Sequence, residues 1–540
     1  MAQTPMLGDR YAAEPEVLQR LLEITLALSG ERDVKRLYDQ IVEAAQALTH
    51  ADGASLYSVH KENGRQVLRF EVLRNHSLKL HQGGASGRHM TFASIPLTLP
   101  DGSPNHRNIC ASAYHRGEAI FTDDAYAATE YDFSGVREFD RHSGYRSRSL
   151  LTLPLISHSN DVIGVLQLIN AKNPRTQETI AFDPSLLPIV AALASNAAIT
   201  LDNQKLIQGH RDLLDAFIKV IAKAIDAKSS HTSAHCQKVP VLTELLAAAA
   251  CRATDGPLKD FSLDENGWYE LRVAAWLHDC GKLSTPDSLL DKSTKLHALH
   301  DRIETVRTRY AALIAQTRLE CREAADDETR RRLEARIAEL REDCDFLEHV
   351  NKGSEFMRPE DQDRVRRIAA MRWRDHRDIE QPLLSTEEAE MLCISRGTLS
   401  QAERERINDH INVTIQMLEA LPFPKHLRRV PEYAGGHHEK VDGTGYPKGL
   451  RGDQMSWPAR MMAIADVFEA LTARDRPYKP PMKLSQALAI LKDMATNGHI
   501  DPHLYELFIT ERVWETYAHE HLLPEQLDVD DPRPFLMGGR

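Results

Sequence analysis

The stretch VAAWLHDCGK, from Val273 to Lys282, places an ionisable pair at the end of an apolar run. The run predicts a buried helix, and Gly281 predicts a turn directly after it. Burial without a partner disfavours the charged form of the Asp279 carboxyl group, whereas a divalent cation stabilises a carboxylate and a neutral imidazole together. The pair His278-Asp279 therefore points to a metal ion inside a helical domain.

Further side chains of the metal-ligand type lie in the same part of the chain. His437 and His438 open the stretch HHEKVDGTGYP, whose glycines predict a tight loop. Asp466 stands where the helical pattern MMAIADVF would otherwise carry an apolar residue. Because the chain has 25 histidines, each cluster taken alone also fits a surface or core histidine, and Asp466 also fits a buried packing carboxylate.

These motifs occur in a fixed order: HDCGK from His278, then His410, then HHEKVDGTGYP from His437, then ADVFEALTARDRPYK from Ala465. Together they resemble the signature of the HD-GYP subgroup of HD phosphohydrolases, over about residues 212–509. The resemblance implies an all-α domain with a binuclear metal centre, in which Asp279 bridges the ions. The implied ligands are His235, His278, Asp279, His410, His437, His438 and Asp466.

The resemblance also bears on the number and kind of metal ions. Family members with three ions usually have a glutamate four residues before the first histidine of the set, and this chain has His231 there. Two divalent ions are therefore implied, and a third near His231 stays open. Oxygen and nitrogen ligands favour iron or manganese and do not exclude zinc.

The same resemblance implies a phosphodiesterase whose substrate is cyclic di-GMP, cleaved to linear pGpG, with a further step to GMP left open. Asp279 and Lys282 would be catalytic, and Lys282 would also bind the substrate together with Tyr446, Arg476 and Lys479. Two alternatives remain: cyclic GMP-AMP as the substrate, or a catalytically weak signalling adaptor that binds protein partners.

Ahead of this region, a helical pattern from Pro15 to Ala47 is followed by β-rich runs, which predicts an α+β domain. The stretch GYRSRSLLTLPLISHSNDVIGVLQLINAKN, beginning at Gly144, resembles a GAF domain. The resemblance implies a sensor over residues 1–184 with an unknown small-molecule ligand. Four residues partly match a motif of cyclic-nucleotide-binding GAF domains but favour plain core and turn roles: Asn170, Lys172, Phe182 and Asp183.

One long helical pattern, residues 185–228, predicts a connecting signalling helix. Its apolar stripe indicates pairing in a homodimer and consists of Leu206, Leu213, Phe217, Ile221 and Ile225. The HD-GYP domain is predicted over residues 229–525. It is interrupted at 296–397 by a charged helical insertion, read as a solvated helical hairpin. Residues 526–540 are predicted to form a C-terminal tail that frays.

The net charge and the cysteines of the chain restrict the classes of partner and the location that we expect. The 540-residue chain has a net charge of −12, which argues against nucleic-acid polymers and membrane surfaces as partners. We expect no segment to span a membrane. Because the seven cysteines show no CxxC spacing, we expect reduced thiols and a cytoplasmic protein.

Overall fold

A computed structural model of the chain describes residues 15–228, 235–353, 356–473 and 481–538. The chain divides into two compact units, Met1–Leu213 and Leu214–Arg540. The first unit is α+β and the second is mainly helical, so the predicted fold classes and their order are confirmed. The predicted domain boundaries stay predictions.

The first unit is built on an antiparallel sheet with strand order β3-β2-β1-β7-β6-β5, in which β4 pairs with β2 and β8 with β7. The strands are β1 Ala51–Glu62, β2 Arg65–Asn75, β3 Leu80–Gly83, β4 Ile95–Pro96, β5 Ile120–Thr122, β6 Leu150–Ile156, β7 Val162–Lys172 and β8 Thr179–Ile180. The helices that begin in this unit are α1 Pro15–Gly30, α2 Val34–Thr49, α3 Ile109–Arg116, α4 Ser134–Ser143 and α5 Leu187–Lys228.

The predicted N-terminal helix is divided in two. Asp33 is the residue before α2 and caps its N-terminus. Its side chain accepts hydrogen bonds from the backbone N–H groups of Lys35 and Arg36. The buried face of α2 packs with the first turns of α5 and with the central strands in one apolar core.

The helix α5 corrects two predictions. The segment Pro184–Lys228 is long and apolar enough to cross a membrane by length and composition, with a hydropathy of 1.6 in its most apolar window, of which 33% is buried. The expectation that no segment passes this test was wrong; the apolar residues Val190, Leu193 and Ala197 are buried in the core of the first unit. The predicted stripe is also split, since Ile225 is buried in the second unit whereas Leu206 and Leu213 are exposed.

Outside the segment 296–397, the described helices of the second unit pack around two apolar cores. One core joins α6 to α16 through α19, and the other joins the end of α5 to α7 and α15. Its helices are α6 His235–Arg252, α7 Glu265–Leu277, α8 Asp287–Leu290, α9 Ile303–Glu323, α10 Asp327–Asn351, α11 Pro359–Ala369, α12 Thr386–Leu392, α13 Gln401–Asn408, α14 His410–Glu419, α15 Val430–Gly435, α16 Trp457–Thr472, α17 Leu484–Thr496, α18 Pro502–Thr510 and α19 Val513–His521.

The charged segment 296–397 is more than a solvated hairpin. Helices α9 to α12 enclose an apolar core of their own, in which Leu340, Leu347 and Val365 are fully buried. The segment also contains a small antiparallel hairpin, β9 Arg372–Arg374 with β10 Glu380–Pro382, which the all-helical expectation missed. In the sequence of this segment, the few apolar residues of the core stand among many long charged side chains, so the pattern resembled that of a solvated helix.

The C-terminal stretch is ordered by packing. The hydroxyl group of Tyr505 donates a hydrogen bond to the carbonyl oxygen of Phe535 at 2.7 Å. Phe535, Leu536 and Met537 pack against the core of α6 and α16 to α19. The prediction of a fraying tail was therefore wrong over the described part of this stretch.

Candidate metal centre

The second unit brings all seven predicted metal ligands together, from five separate elements. His235 is the first residue of α6, and His278 and Asp279 follow the last residue of α7. His410 begins α14, His437 and His438 follow α15, and Asp466 lies within α16. All of these residues except Asp466 lie at the first residue of a helix or just after its last residue.

At one end of the centre, two imidazoles face two carboxylates. The Nε2 atom of His235 lies 3.5 Å from Asp279 Oδ2 and 3.2 Å from Asp466 Oδ1. The Nε2 atom of His278 lies 3.4 Å and 3.8 Å from the same two oxygens. His235, His278 and Asp279 can each offer one ligand atom to a single ion, since these atoms lie within 4.8 Å of one another.

At the other end, three imidazoles form a second group. His410, His437 and His438 likewise offer ligand atoms within 4.8 Å of one another. The second carboxylate oxygen of Asp279, Oδ1, lies 3.3 Å from His410 Nε2 and 4.0 Å from His437 Nε2. Asp279 therefore presents one oxygen to each group, as a bridging ligand would.

The ring orientations test whether these residues fit a cation. In His278, His410 and His437 the Nδ1 atom bonds to the carbonyl oxygen three residues earlier, at 2.7, 2.5 and 2.6 Å. Nδ1 must carry the proton to donate to a carbonyl, so in the neutral ring Nε2 keeps its lone pair and can bind a cation. The Nε2 atoms of these three and of His235, together with Asp279 Oδ1, are buried without a hydrogen-bond partner. These buried atoms can each offer a lone pair that no hydrogen bond uses, which fits a bound metal ion.

The electrostatics differ between the two groups of imidazoles. Burial lowers the pKa of His235 and His278, but the carboxylates of Asp279 and Asp466 outweigh burial, so the pKa of His235 lies well above its usual value and that of His278 is raised to about 9. Burial and the neighbouring His438 and His278 hold the pKa of His437 well below its usual value. Burial likewise lowers the pKa of His438 to about 4. Burial opposes ionisation of Asp279, but the positive charges of Lys282 and His278 outweigh it and hold the pKa of that carboxyl group well below its usual range.

Two glycines allow close backbone approach at the centre. A Cβ atom on Gly281 would overlap the carbonyl oxygen of His410, and would lie 2.6 Å from the backbone nitrogen of Thr414. The N–H group of Gly281 also donates to Thr414 Oγ1 at 2.9 Å. A Cβ atom on Gly445 would likewise overlap the backbone of Glu439 and Lys440. Glycine at 281 therefore brings α14, with His410, against the His278-Asp279 turn.

The structure describes two of the four predicted substrate-binding residues, Lys282 and Tyr446. The Lys282 ammonium group donates to Asp279 Oδ2 at 2.6 Å and is partly buried, which differs from a solvated helix-end lysine. The Tyr446 ring stacks on His438 with ring centres 4.9 Å apart. Arg476, Lys479 and His231 lie outside the described residues.

The sequence interpretation missed Glu469. This carboxylate is 2% exposed and one of its oxygens lies 2.5 Å from His235 Nδ1. Its other oxygen lies 3.4 Å from the Lys238 ammonium group. The available signal was a second acid three residues after Asp466, on the same face of an otherwise apolar helix.

The first unit contains a cavity of about 610 Å³ between the sheet and the segments of α3 and α4. Aromatic rings of Tyr57, Phe70, Phe92 and Phe139 line it in succession, with neighbouring ring centres 4.4 to 5.7 Å apart. Asn170, Lys172, Phe182 and Asp183 do not line this cavity. Asn170 instead bonds to the backbone of Arg146, Arg148 and Ser149, which supports a turn role.

Comparison with known families agrees with this two-part architecture. Residues 33–201 match the GAF domain family, and residues 387–504 match the HD domain family. The chain combines a GAF domain with an HD domain. The HD match includes His410, His437, His438 and Asp466, whereas the His278-Asp279 pair lies before it, on the other side of the segment 296–397.

Curated relatives are cyclic dinucleotide phosphodiesterases. The chain is 25% identical over 416 residues to 3′3′-cGAMP-specific phosphodiesterase 3 of Vibrio cholerae, covering 71% of this chain and 65% of the relative. It is 49% identical over 80 residues to a probable cyclic di-GMP phosphodiesterase of the same organism, covering 15% and 18%. The chain thus spans less than two thirds of the length of these relatives. Among solved structures, a GAF domain from an Acinetobacter phosphoenolpyruvate-protein phosphotransferase is 14% identical with a TM-score of 0.26, covering 36% of this chain and 98% of its own.

Proposed function

We propose that this chain is a metal-dependent phosphodiesterase that hydrolyses cyclic di-GMP to linear pGpG. The observation that carries the proposal is the convergence of five buried ligand atoms without hydrogen-bond partners: Asp279 Oδ1 and the Nε2 atoms of His235, His278, His410 and His437. An adaptor without catalysis would not need these groups, since each unsatisfied buried polar atom costs free energy. Whether pGpG is cleaved further to GMP stays open.

We assign two divalent cations to the centre, with iron or manganese preferred. His235, His278 and Asp466 would hold one, His410, His437 and His438 the other, and Asp279 would contribute to both. When bound, such cations neutralise phosphate oxygens and activate water near neutral pH. The backbone bonds of His278, His410 and His437 keep the rings oriented for this purpose. A third ion near His231 remains a separate possibility for the same centre.

Lys282 supplies a positive charge beside the bridging carboxylate. Burial lowers the pKa of its amine, but the charges of Asp279 and Asp466 outweigh burial and raise it above its usual value. A protonated amine at this place suits a contact to the phosphate group of the substrate. Tyr446, stacked beside His438, would line the substrate pocket, and Arg476 with Lys479 would contact the nucleotide.

Cyclic GMP-AMP is the second candidate substrate. A relative that matches most of this chain bears the name 3′3′-cGAMP-specific phosphodiesterase, whereas the match to the probable cyclic di-GMP phosphodiesterase is shorter but more identical. Both substrates present the same phosphodiester to the centre. They differ in one base, so the choice rests on pocket groups away from the metal ions.

The GAF domain would regulate the enzyme by binding an unknown small molecule in the cavity that Phe92 and Phe139 help to line. The ligand acts on the HD domain only if it binds the active and inactive arrangements with different affinity. A homodimer and a cytoplasmic location complete the proposal.

The test compares the parent with Asp279→Ala, using Asp453→Ala, at an exposed position, as the control. Each purified protein is incubated with cyclic di-GMP or 3′3′-cGAMP and Mn²⁺, and products are separated by chromatography. Asp279→Ala should lose turnover and bound metal while its circular dichroism stays unchanged, because one carboxylate serves both groups of imidazoles. Normal turnover in a folded Asp279→Ala protein would reject the centre, and metal binding by the parent without turnover of either substrate would favour the adaptor.

A further inference from the structure

Among the described histidines of the centre, four have buried Nε2 atoms without a hydrogen-bond partner, and three of these four rings are held in the same way. His278, His410 and His437 each hold their ring through a neutral backbone carbonyl three residues earlier. His235 bonds through Nδ1 to a carboxylate, Glu469, from a different helix.

His235 is the first described residue of α6, and its Nδ1 partner comes from another helix. Glu469 reaches it from α16, one turn beyond Asp466, whose Oδ1 lies 3.2 Å from the other ring nitrogen of His235. The two acids on α16 therefore face opposite ring nitrogens of the same imidazole.

The Glu469 carboxylate is itself held in place. It is 2% exposed, and its second oxygen lies 3.4 Å from the Lys238 ammonium group of α6. The ion pair compensates the buried charge and fixes the carboxylate between two side chains of α6. A charged acceptor makes a stronger hydrogen bond than a carbonyl and raises the electron density that the opposite ring nitrogen offers to a metal ion.

We propose that Glu469 is a positioning residue that orients His235 and strengthens metal binding at the His235 end of the centre. This inference rests on the proposed metal-dependent function. It makes the centre asymmetric: at one end His235 is held by a buried carboxylate, whereas at the other end His410 and His437 are held by backbone carbonyls.

The experiment titrates the metal-depleted full-length protein with Mn²⁺ by calorimetry and counts bound ions by elemental analysis. Glu469→Gln keeps the size of the side chain and removes its charge. We expect its affinity for one Mn²⁺ equivalent to fall about 10- to 100-fold, the scale of losses at residues that support metal ligands, with the other equivalent unchanged. Glu270→Gln is the matched control, since Glu270 is a buried carboxylate of the same unit that accepts from the backbone of Arg429.

A double-mutant cycle separates positioning from general destabilisation. In a His235→Ala background, Glu469→Gln should cause no further loss of Mn²⁺ affinity, because the carboxylate would act through His235. Unchanged Mn²⁺ binding by Glu469→Gln, or an equal loss in the His235→Ala background, would overturn the assignment. If Glu469→Gln does not fold, Glu469→Asp, which keeps the charge but shortens the reach, takes its place with the same expected outcomes. A parent protein that binds no Mn²⁺ would instead count against the proposed function.

Discussion

The smallest features that shape the centre are single contacts around the His278-Asp279 turn. Asp279 presents one oxygen to each group of imidazoles, and the lysine and glycine that follow it have separate roles. Lys282 pairs with the Asp279 carboxylate, and Gly281 permits the approach of α14. Substitutions at these two positions should therefore have different consequences.

Lys282→Ala should keep the metal ions and lose turnover. Removing one charged hydrogen bond to the phosphate should lower kcat/KM about 10- to 100-fold, on the scale of roughly 1.5–3 kcal/mol for hydrogen bonds to charged groups. Steady-state kinetics with a measurement of bound metal checks this, and Lys282→Arg should recover part of the activity. Parent-like kinetics for Lys282→Ala would leave the lysine without a role in substrate binding.

Gly281→Ala should destabilise the second unit and displace His410. The added Cβ atom would overlap backbone atoms that cannot rotate away, and overpacking of this kind costs about 1–3 kcal/mol. Thermal unfolding followed by circular dichroism measures the change. Gly209→Ala is the control, because Gly209 is exposed within α5 with open space around it; it should stabilise by about 1 kcal/mol. Equal thermal unfolding midpoints for Gly281→Ala and Gly209→Ala would contradict the close approach of Gly281 to α14.

At the scale of elements, α5 carries two apolar faces. Ile218, Ala222 and Ile225 pack into the core of the second unit. A separate row, Ile199, Leu206, Leu213 and Val220, recurs every seven residues and is 40% to 62% exposed. A seven-residue apolar repeat on an exposed helix is typical of a coiled coil, with Phe217 in the neighbouring seam position. We infer that this row is the surface on which two copies of α5 pair.

Replacing Leu213 and Phe217 by serine should weaken the dimer and uncouple the GAF ligand from turnover, with little effect on bound metal. Both side chains are more than half exposed, so the change should not disturb the core of either unit. Light scattering, metal analysis and ligand-dependent turnover check this prediction. Gln208→Ser with Lys219→Ser, on other faces of α5, is the control. An unchanged dimer with an unchanged ligand response would remove α5 as the coupling element.

At the scale of the whole molecule, the segment 296–397 looks separable from the centre that it interrupts. It has its own apolar core, and the chain enters and leaves it at neighbouring points. The hydroxyl group of Thr398 donates to the carbonyl oxygen of Lys292 at 3.2 Å, so a few residues suffice to close the gap.

Deleting 296–397 and joining the ends with a short Gly-Ser linker should preserve metal binding. Lys295 should be replaced by serine in the same protein, because its buried ammonium group donates to the carbonyl oxygens of Leu392 and Ile394, which the deletion removes. Elemental analysis of the soluble protein measures bound metal. Loss of metal from a folded deletion protein would show that the segment supports the centre.

The sequence by itself determined the two domain classes and the identity of the candidate ligands. Acids and imidazoles within apolar runs, such as Asp279 and Asp466, are visible locally because burial of such groups needs a partner. The motif order around them added the family resemblance. What the sequence could not supply was how residues far apart along the chain meet.

Only the tertiary structure decided which partner each of these groups has. The contact of Glu469 with His235 joins residues 234 positions apart, and no local pattern encodes such a distance. The exposed and buried faces of α5 likewise depend on which helices pack against it, so the single stripe expected from apolar spacing divided into two. The sparse apolar residues of 296–397 form a core only because α9 to α12 bring them together. Local chemistry and the family resemblance thus selected the candidate ligands, whereas long-range packing set their orientation.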